Sequence, residues 1–149
     1  MTRPLTPEEE GFVYLAGPYR AKDGGHDADH FDEIEANIQR ARMAAVFLAS
    51  NDIPYFCPHL NSAHMEIDVP DVLPPYWYRM DLTILRHAKV LWLQEGWIDS
   101  QGSMAEYRAA HNWNIPVYAP QEGDILVGAW RRRCEGIMAD AETLTARSS

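Results

Sequence analysis

The sequence predicts an α/β fold in three layers, a mostly parallel sheet of four to five strands covered by helices on both faces. Short apolar runs alternate with segments of helical periodicity, the order that builds strand–helix–strand units. The runs are rich in aromatic and β-branched residues and stop abruptly at Gly, Pro or polar residues, as strands buried on both faces do. A chain of 149 residues, 46% of them hydrophobic, suffices for one core without covalent staples. These features point to a Rossmann-like or flavodoxin-like sandwich. A single domain over residues 1–149 is expected, with its core at about 12–119 and a C-terminal helical tail at about 122–141.

Thr6-Pro7-Glu8-Glu9 reads as a helix start or a loose arm, and Phe12 to Ala16 as the first strand, ended by Gly17-Pro18. Ala21 to His30 is a Gly- and Asp-containing loop. The helix after it repeats Ile34, Ile38, Ala41, Ala45 and Leu48 at helical intervals and ends near Ser50-Asn51. Ile53 to Cys57 reads as a second strand. Pro58 to Pro75 carries too many prolines to be regular throughout. A helix over about Tyr76 to His87 turns Trp77, Met80, Ile84, Leu85 and Ala88 inwards, which puts Asp81 beside that stripe. Lys89 to Leu93 is the third strand, Gly96 to Gly102 a turn, Ser103 to Asn112 a helix and Ile115 to Tyr118 the fourth strand. The stretch from Glu142 to Ser149 reads as a frayed end.

Composition excludes several classes of function. A net charge of −9 repels a phosphate polymer, and Arg131 to Arg133 is too small a basic cluster to reverse that, so no nucleic acid polymer is expected as a partner. No apolar run approaches the ~20 residues that span a bilayer. Cys57 and Cys134 stand in no metal-type spacing, and the N-terminus lacks the basic-then-apolar pattern of a secretory signal. A reducing, cytoplasmic setting is therefore expected.

In sheets of this kind ligands bind beyond the carboxyl ends of the strands, so the segments after them should line one crevice. Gly17-Pro18-Tyr19-Arg20 offers a glycine for close approach, an aromatic face and a guanidinium suited to phosphate; read blandly, it is a turn with a solvated arginine. His59 directly follows the second strand. Ser100, Gly102 and Ser103 precede a helix whose free amides favour an anion.

Glu106 has two readings. Ser103-x-x-Glu106 fits a capping box, in which the glutamate only satisfies a backbone amide. Glu106, Ala109, Ala110 and Trp113 also share one helix face, which would aim the carboxylate at the sheet. Asp81 raises the same question, because an unpaired buried carboxylate costs several kcal/mol. It either pairs with Arg79, Arg86 or Arg20, or sits at the edge of a pocket. Two carboxylates from different helices at one crevice suit glycosidic chemistry, one as nucleophile and one handling a proton.

Other residues carry weaker signals. His26 and His30, with Asp27 and Asp29, have a metal-compatible spacing if helical, but Gly24-Gly25 favours a solvated loop, and no metal or cofactor is expected. Tyr76-Trp77-Tyr78 offers faces for stacking on a base, or for core or subunit contact. The chain has no G-x-G-x-x-G, no G-x-x-x-x-G-K-[ST] and no G-x-S-x-G, which removes the usual dinucleotide, triphosphate and serine-hydrolase fingerprints.

Tyr14-Leu15-Ala16-Gly17-Pro18-Tyr19-Arg20, Asp81 on a helix entering an apolar strand, Gly96-Trp97-x-x-Ser100-x-Gly102-x-x-x-Glu106 and Ile115-Pro116-Val117 together resemble the nucleoside 2-deoxyribosyltransferase-like proteins, which include deoxyribonucleoside 5′-monophosphate N-glycosidases. The resemblance covers about Phe12 to Tyr118. It implies that Glu106 is the nucleophile and Asp81 an active-site acid near the leaving base. It further implies that Ser100 and Arg20 contact a 5′-phosphate, and that Gly17 and Tyr19 lie under sugar and base. The implied partner is a small nucleoside or nucleotide, and the implied assembly a homo-oligomer, dimer or tetramer, in which a neighbouring subunit completes the site. Met104 stands where relatives often carry glycine, a change that would narrow the pocket. A non-catalytic nucleotide sensor on the same fold is the alternative. For catalysis Glu106 should be ionised near helix amides, while Asp81 should hold a proton in a more apolar setting.

Overall fold

In a computed structural model, residues 3–25 and 28–148 are described. The four strands are β1 (Val13–Ala16), β2 (Tyr55–Phe56), β3 (Val90–Leu93) and β4 (Val117–Tyr118), all parallel in the order β2-β1-β3-β4. The helices are α1 (Pro7–Glu10), α2 (Phe31–Ser50), α3 (Pro58–Asn61), α4 (Met65–Asp68), α5 (Pro74–Leu85), α6 (Gln101–Asn112) and α7 (Gly123–Ser148). The chain is a Rossmann-like three-layer α/β sandwich.

The period of two along a strand sorts the core into two faces. Val13, Leu15, Val90 and Trp92 pack with Ala41, Ala45 and Leu48 of α2 and with Leu126, Val127 and Trp130 of α7. Tyr14, Ala16, Leu91 and Leu93 face Leu82, Ile84 and Leu85 of α5 and Tyr107, Ala109 and Ala110 of α6. Side chains of β1 and β3 are thus buried on both sides, which is why both runs read as continuously apolar. Leu15, Leu48, Leu91 and Leu126 are all fully buried, each contributing roughly 1.5–3 kcal/mol of transfer free energy.

Two helix ends use one device. Beyond α2, Asp52 takes a left-handed conformation (φ 59°), and the amide of Ile53 donates to the Leu48 carbonyl. Beyond α6, Asn114 does the same (φ 57°), and Ile115 donates to Ala110. Asn and Asp tolerate this geometry better than most residues, and it turns the chain sharply into the following strand.

Several boundaries differ from those expected. β2 is two residues long rather than spanning Ile53 to Cys57; Pro54 has no amide to donate, and Pro58 opens the next helix. α5 begins at Pro74, because proline is favoured in the first turn. α6 begins at Gln101, before Ser103, because Ser100 is its N-cap. α7 runs through Ser148 where a frayed end was expected, and its first three turns supply Leu126, Val127 and Trp130 to the core. Among the described residues no helix is long and apolar enough to cross a membrane.

Candidate functional site

In this strand order the connections leaving β1 and β3 diverge to opposite faces of the sheet, opening a crevice at the strands' carboxyl ends. A cavity of about 1170 Å³ occupies it. All eight residues singled out from sequence line this cavity: Gly17, Tyr19 and Arg20 after β1, His59 after β2, Ser100, Gly102 and Glu106 after β3, and Asp81 from α5.

Glu106 lies beyond the first turn of α6 and does not cap it. Ser100 takes that role, its hydroxyl accepting from the Ser103 amide at 3.2 Å, so the expected Ser103–Glu106 capping box does not form. The Glu106 carboxyl instead points towards the sheet, where its Oε2 is buried with no hydrogen-bond partner. Burial pushes its pKa up to about 8; the nearby Asp81 charge adds to the rise and the Tyr14 hydroxyl opposes it. Tyr14 is fully buried in β1, and its Oη also lacks a partner of ordinary hydrogen-bond geometry, so its influence on Glu106 is electrostatic.

Asp81 is half-buried, with Oδ1 unpartnered, and burial pushes its pKa up to about 7. The three arginines offered as its partners are engaged elsewhere. The guanidinium of Arg20 lies over the Tyr78 ring, that of Arg79 over Tyr76 and that of Arg86 over Trp113. Asp81 shares the cavity-facing side of α5 with Pro74, Trp77, Tyr78 and Leu82, next to the stripe that packs on the sheet. The sequence reading expected an ionised Glu106 near helix amides and a protonated Asp81 in a more apolar setting. Both are raised, Glu106 more so, because its helix carries it further from solvent. Two such acids titrate as a pair that retains a proton near neutral pH.

The remaining wall is tightly built. Buried His59 has its Nε2 2.7 Å from the Pro18 carbonyl; since a carbonyl only accepts, Nε2 carries the proton and Nδ1, which has no partner, is an acceptor. Burial lowers the pKa of His59 and keeps the ring neutral. Tyr19 packs edge-on against His59, donates to Glu66 Oε2 at 2.7 Å and accepts from the His64 amide at 2.9 Å. Asn37, buried on α2, donates to the carbonyls of Tyr19 (2.9 Å) and Arg20 (3.0 Å), fixing the segment after β1. Gly17 is a close approach: a Cβ there would lie 2.9 Å from Gln94 Cβ. At Gly102 a Cβ would press on Tyr78 at 3.2 Å, so this glycine lets α6 approach α5.

Ser100, Gln101, Gly102 and Ser103 present the N-terminus of α6 to the cavity. Ser103 is fully buried, and its hydroxyl has no partner. Helix dipole, amides and an unengaged hydroxyl together favour an anionic group. Trp77 and Tyr78 line the cavity, whereas Tyr76 is exposed and set edge-on against Trp77. Met104, expected to narrow the pocket, does not line it. His30 pairs with Asp23 at 2.8 Å; His26 and Asp27 lie outside the described residues.

The sequence reading missed Tyr14, Asn37 and Glu66 as members of the site, and placed Ser103 only at the anion-favouring start of the helix. Tyr14 was hidden in a run that reads as core, although a hydroxyl inside such a run requires a partner. Asn37 was the one polar residue between Ile34 and Ile38 on the buried side of α2. Comparison with protein-family models and with curated proteins finds no match for the chain.

Proposed function

We propose that the cavity is the active site of an enzyme that cleaves the N-glycosidic bond of a nucleoside or nucleoside 5′-monophosphate, by hydrolysis or base exchange, in the manner of the nucleoside 2-deoxyribosyltransferase-like proteins that the sequence resembles. The observation that carries this reading is the pair Asp81 and Glu106. Two carboxyls from different helices enter one cavity, each with a buried oxygen that has no hydrogen-bond partner among the described residues. Leaving such oxygens unmatched costs roughly 1–3 kcal/mol apiece, which a fold retains where a ligand uses them.

In the proposed reaction the pair's proton resides on Asp81, and ionised Glu106 attacks the anomeric carbon. The C–N bond breaks, its electron pair leaves with the base, and Asp81 delivers a proton to that base. Water, or the nitrogen of a second base, then attacks the same carbon and frees Glu106, passing its proton to Asp81. The Tyr14 hydroxyl supports the ionised form of Glu106, and so does the positive charge that develops on the sugar. The N-terminus of α6 with Ser103, and Arg20 held over Tyr78, suit a 5′-phosphate; Trp77 offers a face to the base. Exposed Leu73 and Ile98, on segments bordering the cavity, offer apolar edges for assembly with a second copy.

One feature favours a second reading, a sensor that binds a nucleotide without cleaving it: burial raises the pKa of Glu106 to about 8, away from the ionised form a nucleophile needs. Rapid acid quench of the enzyme with substrate, followed by peptide mass analysis, separates the two. The enzyme reading requires a glycosyl adduct on the peptide carrying Glu106. A peptide that stays unmodified while nucleotide binds favours the sensor.

A further inference from the structure

The cavity is larger than the proposed substrate needs. Small-molecule pockets span roughly 300–1,000 Å³, and this one, at about 1170 Å³, continues past the segment after β1 to α2, where Lys22, Glu33, Asn37 and Arg40 line it. That outer lobe contains no part of the Asp81–Glu106 pair.

The acids of this lobe are held in place by the protein: Asp23 accepts from the Gly25 amide and contacts His30 Nε2, both at 2.8 Å, and Glu33 accepts from the Lys22 amide at 2.7 Å. Glu66 is held by Tyr19 and by His64. The remaining lining acids, Glu95 and Asp99, stand on the segment after β3. Neither Lys22 nor Arg40 forms an ion pair among the described residues. Both cations line the same lobe of the cavity, in a chain whose net charge is −9. Arg40 is also oriented: its guanidinium donates to Asn37 Oδ1, while Asn37 Nδ2 holds the carbonyls of Tyr19 and Arg20. One buried amide therefore ties the outer guanidinium to the backbone that carries Arg20.

We infer that Lys22 and Arg40 form a second anion subsite, beyond Arg20, which takes the distal phosphate of a pyrophosphate-bearing nucleotide. The inference rests on the cavity being a nucleotide site, and it names the ligand class more narrowly: nucleoside 5′-diphosphates and their conjugates bind more tightly than monophosphates. A fork-shaped guanidinium and an ammonium around a terminal phosphate are the pairing that such a group favours.

Titration calorimetry with three probes tests it: a set of deoxyribonucleoside 5′-monophosphates, the matching 5′-diphosphates, and inorganic pyrophosphate. The wild-type protein should bind diphosphates about tenfold more tightly than monophosphates. Arg40→Gln and Lys22→Gln should each remove most of that margin while changing monophosphate affinity less than twofold, and Arg40→Lys should restore part of it. Both positions are exposed, so the variants fold. Mono- and diphosphates binding equally, or the variants weakening both alike, overturns the subsite and leaves the N-glycosidic reading standing. Pyrophosphate binding that depends on Arg40, with no nucleotide binding, keeps the subsite and overturns the nucleotide reading. Absence of binding by all three probes overturns both.

Discussion

Asp81 and Glu106 reach one cavity from adjacent helices, and neither has a basic partner there. Both folded pKa values, about 7 and about 8, lie above the ordinary carboxylate range, chiefly through burial. Between the unfolded value near 4 and these folded values the native state binds more protons than the unfolded one, so stability falls as pH rises across that window. Glu106→Gln removes the titration while keeping the shape. It should raise Tm at pH 8, by an amount corresponding to about 1–3 kcal/mol, and give no gain at pH 4. Thermal melts from pH 4 to 9 check this; a gain independent of pH would contradict it.

Tyr14 gives the pair its direction. Among the described residues its hydroxyl is the group that lowers the pKa of Glu106, so Tyr14→Phe raises it further. In the proposed reaction ionisation of Glu106 sets the acidic limb of the pH–rate profile, and that limb should move to higher pH while the maximal rate falls about tenfold. Stability should change little, because Tyr14 Oη has no ordinary hydrogen bond to lose. Superimposable profiles for wild type and variant would remove Tyr14 from the mechanism.

In the proposed reading Arg20 serves the 5′-phosphate and not the base. With its guanidinium over Tyr78 and its carbonyl fixed by Asn37, it is positioned rather than solvated. Arg20→Ala should raise KM for monophosphates about tenfold or more, as loss of a charge-assisted contact does, and leave KM for nucleosides within about twofold. Equal losses for both substrates would remove the phosphate role.

The C-terminal helix α7 is part of the core rather than an appendage. Leu126 is fully buried against β1 and β3. Leu126→Ala should destabilise by about 2–5 kcal/mol, measured by urea denaturation, through lost transfer free energy and the cavity left behind. A cost below about 1 kcal/mol would show that α7 docks only loosely.

The layer order was legible because β1 and β3 are buried on both faces, which leaves an unbroken apolar run bounded by Gly17 and Gln94. Boundaries were less legible where two local devices compete. Ser100 and Ser103 both offer hydroxyls to the start of α6, and it is Ser100 that caps, while Glu106 lines the cavity. The candidate site was legible as a set of segments, since residues after parallel strands must converge. Its internal wiring was not: Asn37 lies 17 residues from Arg20, and Tyr19 lies 47 from Glu66, separations that no local pattern encodes. The partners proposed for Asp81 failed for a similar reason. Arg20, Arg79 and Arg86 each lie over an aromatic ring instead, cation–π contacts that the tertiary fold sets up.

The central claim is cleavage of an N-glycosidic bond by the Asp81–Glu106 pair. Its most direct measurement is chromatographic detection of free base after incubating the protein with ribo- and deoxyribonucleosides and their 5′-monophosphates, in parallel with Glu106→Ala. The account predicts that at least one substrate releases its base, that the variant lowers this release by at least about a thousandfold, and that the variant still binds the same substrate. No base released from any substrate, together with a Tm raised by a nucleotide, would contradict it and identify a sensor.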